Sequence, residues 1–211
     1  MKKISAHHLI VSSVTQTILV FFLFFSMGLE KGAAAAAGNL IGAKQLNEVK
    51  KVFRSGIILS LLFTLILAVF LIGYPDTILS LFFKNPHALG HTELNMGITE
   101  LPAVKTSIKF AMAMLVIYLT FENIRFLTSG ILQAAGDTLF TMLAGLFSIW
   151  FVLLMPTYFF IVKPQANIEQ AFYIWLVYSF VSTLLFTFRF FQGNWKKKHL
   201  SDEKPRLSKS S

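Results

Sequence analysis

The sequence predicts an all-α integral membrane protein with about five transmembrane helices. Of its 211 residues, 55% are hydrophobic and only 14% are charged, and the mean hydropathy is +0.66. Soluble domains rarely reach this apolar content, whereas each crossing of a bilayer requires roughly 20 apolar residues. Apolar stretches of this kind lie at about 8–29, 57–74, 108–132, 139–162 and 168–191.

The first predicted span, 8–29, follows a short basic start. The alternative is a secretory signal peptide, with the alanines at 33–37 as its cleavage region. The apolar run is longer than the hydrophobic region of a signal peptide, and Glu30 and Lys31 precede the alanines, so we interpret it as a span. Glu30 is either a second carboxylate that faces the central cavity or an ion-pair partner of Lys31.

Small residues recur at helical spacing around the end of the first span. Gly28 and Gly32 are four residues apart, as are Gly38 and Gly42, so each pair shares a helix face. Such pairs allow close approach of membrane helices, and we predict a packing seam here. The polar and basic segment 45–54 that follows is predicted to be a solvated loop.

The connection after the second span is polar and contains several helix breakers. Pro75 ends the span because proline lacks a backbone donor, and 77–83 is predicted to form a short amphipathic helix at the membrane surface. The connection 84–106 then contains two prolines and two glycines. His87 and His91 are four residues apart in it, but a segment so rich in breakers does not support a metal site, and we predict none.

The third span, 108–132, contains Glu122 and Arg125 near the depth of the bilayer midplane. A charge at that depth costs about 2.5–3.5 kcal/mol on insertion scales and usually marks an ion or substrate path. We therefore predict that Glu122 is a functional carboxylate. Because Glu122 and Arg125 are three residues apart on one helix face, a structural ion pair is the alternative.

A tight turn joins the third and fourth spans. Gly136 is predicted to end the third helix, and Asp137 to supply the N-cap of the fourth, 139–162. Pro156 lies inside the fourth span, where a proline can kink a membrane helix.

The fifth span, 168–191, is followed by a predicted interface at Arg189 and Trp195, which ends the membrane domain at residue 195. The basic, serine-rich tail 196–211 is predicted to be disordered and to contact anionic lipid. Twelve Lys and Arg residues lie on the side of the first loop and the tail, against six on the other. The positive-inside rule therefore predicts a cytoplasmic C-terminus, and the net charge of +9 indicates topology rather than nucleic-acid binding.

Two motifs resemble those of multidrug and toxic compound extrusion (MATE) transporters. The nine residues from Gly130 read Gly-Ile-Leu-Gln-Ala-Ala-Gly-Asp-Thr and resemble the turn after the family's tenth span. Glu122 lies upstream in the same helix, where the family carries a cation-coupling carboxylate. The segment containing Asn39 and Gly42 resembles the end of the eighth span, and the whole resemblance covers about residues 5–195.

The resemblance implies that the five spans correspond to the eighth to twelfth helices of a MATE transporter. They would form most of one of its two six-helix bundles. A missing N-terminal half or a second copy of the chain would complete the transporter. The implied activity is export of cationic drugs across the plasma (bacterial inner) membrane in exchange for H⁺ or Na⁺, with no other cofactor. Glu122 would bind the coupling ion. The candidate cavity-lining residues are Tyr118, Asn123, Arg125 and Glu30.

Two other functions stay open at this point. The chain is alternatively a truncated, non-transporting remnant or an accessory membrane subunit, in which Glu122 is structural. A lipid-linked oligosaccharide flippase of the same superfamily is the third option, although the turn motif favours the drug exporters. No phosphate loop, nucleophile–base pair or metal-ligand motif indicates an enzyme, and the absence of cysteine excludes disulfides.

Overall fold

The computed structural model describes residues 6–74, 101–162, 168–193 and 195–196. Within these ranges the chain forms five long helices, each long and apolar enough to cross a membrane, which confirms the predicted fold class. They are α1 (Ala6–Gly42), α2 (Val49–Gly73), α3 (Leu101–Ala134), α4 (Thr138–Val162) and α5 (Ile168–Gln192). The predicted surface helix at 77–83, His87, His91 and the tail from residue 197 lie outside the described residues.

Three helices extend beyond the predicted spans. Helix α1 continues to Gly42 rather than ending at residue 29, because the alanines at 33–37 are the strongest helix formers. Helix α2 begins at Val49, so half of the predicted loop 45–54 is helical. Helix α3 begins at Leu101, with Pro102 in its first turn. Proline is tolerated there because the backbone N–H groups of the first turn have no hydrogen-bond partner within the helix.

The turn between α3 and α4 has the geometry that the sequence predicts. Gly136 adopts a left-handed conformation with φ of 77°, and its N–H donates to the carbonyl of Gln133 at 3.0 Å. The N–H of Asp137 donates to the carbonyl of Leu132 at 2.9 Å. These two bonds form a Schellman motif, which ends the helix and satisfies its last carbonyl groups. Helix α1 ends with the same conformation at Lys44, where φ is 61°.

Helix α3 lies at the centre of the bundle and packs against α1, α2 and α5. One core cluster surrounds its first half, where Leu119 is buried, and the other surrounds its second half, where Ile131 is buried. Trp195 belongs to the second cluster, with 1% exposure and its ring stacked on Phe190 at 5.8 Å between centroids. The ring of Trp195 therefore packs inside the bundle, and its place at a membrane interface stays a prediction.

Two glycines, Gly130 of α3 and Gly56 of α2, lie where α3 packs closely against its neighbouring helices. A Cβ added at Gly130 would lie 3.0 Å from the carbonyl carbon of Glu30 and closer still to the carbonyl oxygen. A Cβ added at Gly56 of α2 would lie within 3 Å of both methyl carbons of Leu127. Real Cβ atoms essentially never show such distances. The contact of α3 with α1 therefore depends on glycine at position 130, where the neighbouring atoms are backbone, whereas at Gly56 they are the ends of the Leu127 side chain.

The glycine seam predicted on α1 is only partly a helix contact among the described residues. A Cβ added at Gly28, Gly32 or Gly42 would meet no described atom within 4 Å, whereas one at Gly38 would make ordinary contact with Ala134 of α3, at 3.9 Å. The residues of α1 that enter this part of the core are Ala33, Ala37 and Ile41. The seam prediction is wrong for Gly28, Gly32 and Gly42 because spacing shows which residues share a face, not which face meets a neighbour.

Helix α4 is the least buried helix and is irregular. It is α-helical over Thr138–Phe147 and Met155–Thr157 but π-helical over Ser148–Leu154 and Tyr158–Val162. Pro156 lies between the two π-helical segments. Proline removes one backbone donor and its ring clashes with the preceding turn, so the regular α-helical bonding pattern changes around it. The kink predicted at Pro156 stays a prediction.

Candidate functional site

Glu122 is buried in α3, with only 1% of its surface exposed. Arg125, one turn later, donates from Nε to the two carboxylate oxygens at 3.2 and 3.0 Å and from Nη2 to Oε2 at 2.5 Å. Forked contacts of this kind are among the strongest between ionised side chains. The ion pair that was the structural alternative is therefore formed. Whether Glu122 also binds a coupling ion stays a prediction.

The Glu122–Arg125 pair lies between α3 and α5. The Arg125 guanidinium stands 4.4 Å from the ring centroid of Phe126 and 5.9 Å from that of Phe186 on α5. Tyr118 precedes Glu122 by about one helical turn on the same face of α3, and its ring is 5.9 Å from that of Trp175 on α5. The pair is thus surrounded by aromatic rings, which attract cations at their faces.

Asn123 connects three helices. It is 1% exposed; its Oδ1 accepts from Ser26 Oγ of α1 at 2.5 Å, and its Nδ2 donates to Thr64 Oγ1 of α2 at 3.3 Å. Thr64 in turn donates to the carbonyl of Ser60 at 2.8 Å. The structure places Asn123 in the packing between α1, α2 and α3, and its predicted place along a cavity stays a prediction.

Glu30 lies on the face of α1 that contacts α3. Its Oε1 accepts hydrogen bonds from Ser129 Oγ at 2.9 Å and from Gln133 Nε2 at 2.8 Å. Gln133 also donates to Ser129 Oγ at 2.8 Å. Lys31 is exposed, and adjacent residues on a helix do not face each other. In the part of the chain that is described, Glu30 forms no ion pair with Lys31, so that alternative is wrong.

A second buried ion pair fixes the turn between α3 and α4. Asp137 is fully buried and accepts from Arg189 of α5, with Nε at 2.7 Å from Oδ2 and Nη2 at 3.3 Å from Oδ1. The same guanidinium lies 5.0 Å from the ring centroid of Phe140. Asp137 occupies the predicted N-cap position, but its side chain makes no capping hydrogen bond. Sequence reasoning missed this pair because its partners are 52 residues apart.

The comparison with protein families decides the assignment. The family model MatE matches residues 1–159, about three quarters of the chain. The chain belongs to the MatE family. This confirms the resemblance that the two motifs carry, and the 211-residue length is consistent with a half-length MATE protein. No curated protein and no solved structure gave a significant match.

This MatE protein is therefore a multi-pass membrane transporter of the MATE superfamily. The matched region covers two polar groups, one on α3 at Glu122 and Arg125 and the other between α1 and α3 at Glu30, Ser129 and Gln133. No hydrogen bond joins the two groups among the described residues. The other motif residues, Asn39 and Gly42, are exposed near the end of α1, and the structure assigns them no side-chain contact with either group.

Proposed function

We propose that this MatE protein is part of a multidrug efflux antiporter, which exports cationic organic compounds in exchange for H⁺ or Na⁺. The observation that carries the proposal is the Glu122 carboxylate, buried in the middle of a spanning helix. Carboxylates at that depth usually lie on ion or substrate paths. Glu122 also occupies the position at which the MATE resemblance implies a coupling carboxylate.

Arg125 supplies the switch that an antiporter needs. When Glu122 is ionised, Arg125 neutralises it through the forked contact. When a coupling ion binds Glu122, the guanidinium loses its counter-charge but keeps its contacts with the rings of Phe126 and Phe186. Its uncompensated charge then repels a cationic drug. The ion and the drug thus favour different states, which is the requirement for reciprocal coupling.

The proposal also covers the orientation of the chain in the membrane and the partner that would complete its cavity. The excess of Lys and Arg around the first loop and the tail supports a cytoplasmic C-terminus in the plasma membrane. A central cavity would be completed by an N-terminal half or by a second copy of the chain. Aromatic side chains near the ion pair, such as Tyr118 and Trp175, suit flat organic cations because ring faces attract positive charge.

Drug resistance tests the proposal directly. The chain is expressed with a partner half in a bacterium that lacks its own efflux pumps, and resistance to cationic dyes is measured. We expect Glu122→Gln to reduce resistance to that of the empty vector. The matched control is Glu48→Gln, because Glu48 is a surface residue paired only with Lys51 in the described structure. Full resistance with Glu122→Gln would refute the assigned role.

The completed ion pair specifically favours a second candidate, a non-transporting subunit in which Glu122 is structural. Arg125→Met leaves a buried carboxylate unpaired and should destabilise the chain by about 3 kcal/mol. The double variant Glu122→Gln with Arg125→Met removes both charges and should recover normal protein levels. If the Glu122–Arg125 pair is only structural, the double variant behaves like the wild type in every assay, resistance included. If the chain is part of an antiporter, the double variant is present at the normal protein level but loses the ion-driven resistance.

A further inference from the structure

Two carboxylates within the described spans, Glu122 and Glu30, differ in their partners. Glu122 is neutralised by Arg125. Glu30 is bonded by a hydroxyl and an amide, both of which are neutral. Within the described residues no cation pairs with Glu30, although it lies inside the candidate span Val14–Gly42. An intramembrane carboxylate usually marks an ion or substrate path, and here the partners of the carboxylate are neutral.

The backbone fixes the geometry around Glu30. Gly130 brings α3 so close to α1 that an added Cβ would clash with the Glu30 carbonyl group. This contact places the neighbouring Ser129 beside the Glu30 carboxylate, and Gln133 one turn further along bonds both of them. The three polar side chains are therefore held beside a close backbone contact of α3 with α1 rather than by loops.

The charged groups nearby do not neutralise Glu30. On its own helix, Lys31 is exposed. On α3, Arg125 is engaged by Glu122. On α2, Lys51 lies on the groove that α1 and α2 form, but its ammonium group pairs with Glu48 at 2.5 Å.

We infer that Glu30, Ser129 and Gln133 form a second cation site, separate from Glu122, for a small hard cation, either H⁺ or Na⁺. The site offers a carboxylate, a hydroxyl oxygen and, when the amide is turned over, the Gln133 side-chain oxygen, all of which are ligands that hard cations prefer. A bound proton would make the Glu30 acid a donor to the same oxygens. The inference rests on the proposed function only for the role of this ion in transport; binding itself does not require it.

Two measurements on the purified full chain in lipid nanodiscs test the site. Equilibrium binding of radioactive Na⁺ reports the sodium arm. The infrared carbonyl band of protonated carboxylic acids, followed through a pH titration, reports the proton arm. The variants are Glu30→Gln and Glu122→Gln, with Glu48→Gln as a surface control. Circular dichroism and thermal unfolding establish that each variant is folded.

We expect Glu30→Gln to lose one bound Na⁺ per chain or the carbonyl band of a carboxylic acid that stays protonated while surface carboxyls are ionised, whereas Glu48→Gln, which removes only a surface carboxyl, keeps both signals. Ser129→Ala, which keeps the charge, should weaken Na⁺ binding about tenfold if the sodium arm gives the signal, the effect of losing one bond to a charged group. If Glu30→Gln and Glu48→Gln behave alike, or if the wild type shows neither signal, the second site does not exist.

The Glu122 variant separates this inference from the proposed function. A signal lost only in Glu30→Gln supports the second site and contradicts ion binding at Glu122. A signal lost only in Glu122→Gln overturns the second site and supports the proposed coupling carboxylate. Two signals, each lost in one variant, support both.

Discussion

Replacing Gly130 with alanine tests the close contact between α3 and the backbone of α1. The added Cβ would lie 3.0 Å from the carbonyl carbon of Glu30 and 3.2 Å from its Cα. Both are backbone atoms, so no side-chain rotation relieves the clash, and α1 must move away by on the order of 1 Å. The hydrogen bond from Ser129 to Glu30, now 2.9 Å, would then exceed hydrogen-bonding distance.

The expected loss of stability follows from three contributions. Overpacking in a well-packed core costs about 1–3 kcal/mol. Loss of the two hydrogen bonds from Ser129 and Gln133 costs about 1 kcal/mol each, and alanine regains roughly 1 kcal/mol of helix propensity over glycine. Gly130→Ala should therefore destabilise the chain by about 2–4 kcal/mol. Gly28→Ala is the matched control, because a Cβ there meets no atom within 4 Å, and it should be neutral or slightly stabilising.

Equilibrium unfolding in mixed micelles provides the assay. The denaturing detergent fraction is increased, and helix content is followed by circular dichroism, with tryptophan fluorescence as a second probe. Trp195 is a suitable reporter because it is buried against Phe190. If Gly130→Ala and Gly28→Ala unfold with free energies within about 0.5 kcal/mol of each other, the close contact between α1 and α3 does not stabilise this protein, and the reasoning is refuted.

Two further predictions use the same unfolding assay. Asp137→Asn should destabilise the chain by about 2 kcal/mol, since Asp137 is fully buried while its partner Arg189 is partly exposed and partly screened; an unchanged midpoint would show that the pair adds no stability. Lys44→Gly should stabilise the chain by about 1 kcal/mol because glycine adopts the left-handed conformation without strain. Glycine at the exposed helical residue Lys31 should instead destabilise it by about 1 kcal/mol, and equal effects at the two lysines would contradict the argument from backbone conformation.

The features that depend on short segments were predicted correctly. The five spans follow from the length of the apolar runs, and the stop at Gly136 follows from the conformational freedom of glycine before Asp137. The end of α1 was placed too early because the charges at Glu30 and Lys31 resemble a membrane boundary. In the structure, the alanines that follow continue the helix, and hydrogen bonds from α3 accommodate the Glu30 charge.

The features that depend on distant partners were not predictable from one sequence. The hydrogen bond between Ser26 and Asn123 joins residues 97 positions apart, and that between Ser129 and Glu30 joins residues 99 apart. Helical spacing shows that Glu122 and Arg125 can pair, since both lie on one helix. It contains no information on which face of α1 meets α3, so the sequence could not identify which glycines make contact.

The contacts between α1 and α3 also limit how this bundle can move. Asn123 binds Ser26, and Gly130 admits the Glu30 backbone beside its own, at two levels along the same pair of helices. Sliding α1 by one helical turn, about 5.4 Å, would break both contacts and bring another residue of α1 against Gly130. Shear between these helices is therefore unfavourable, and we expect α1 and α3 to move together when the bundle rearranges.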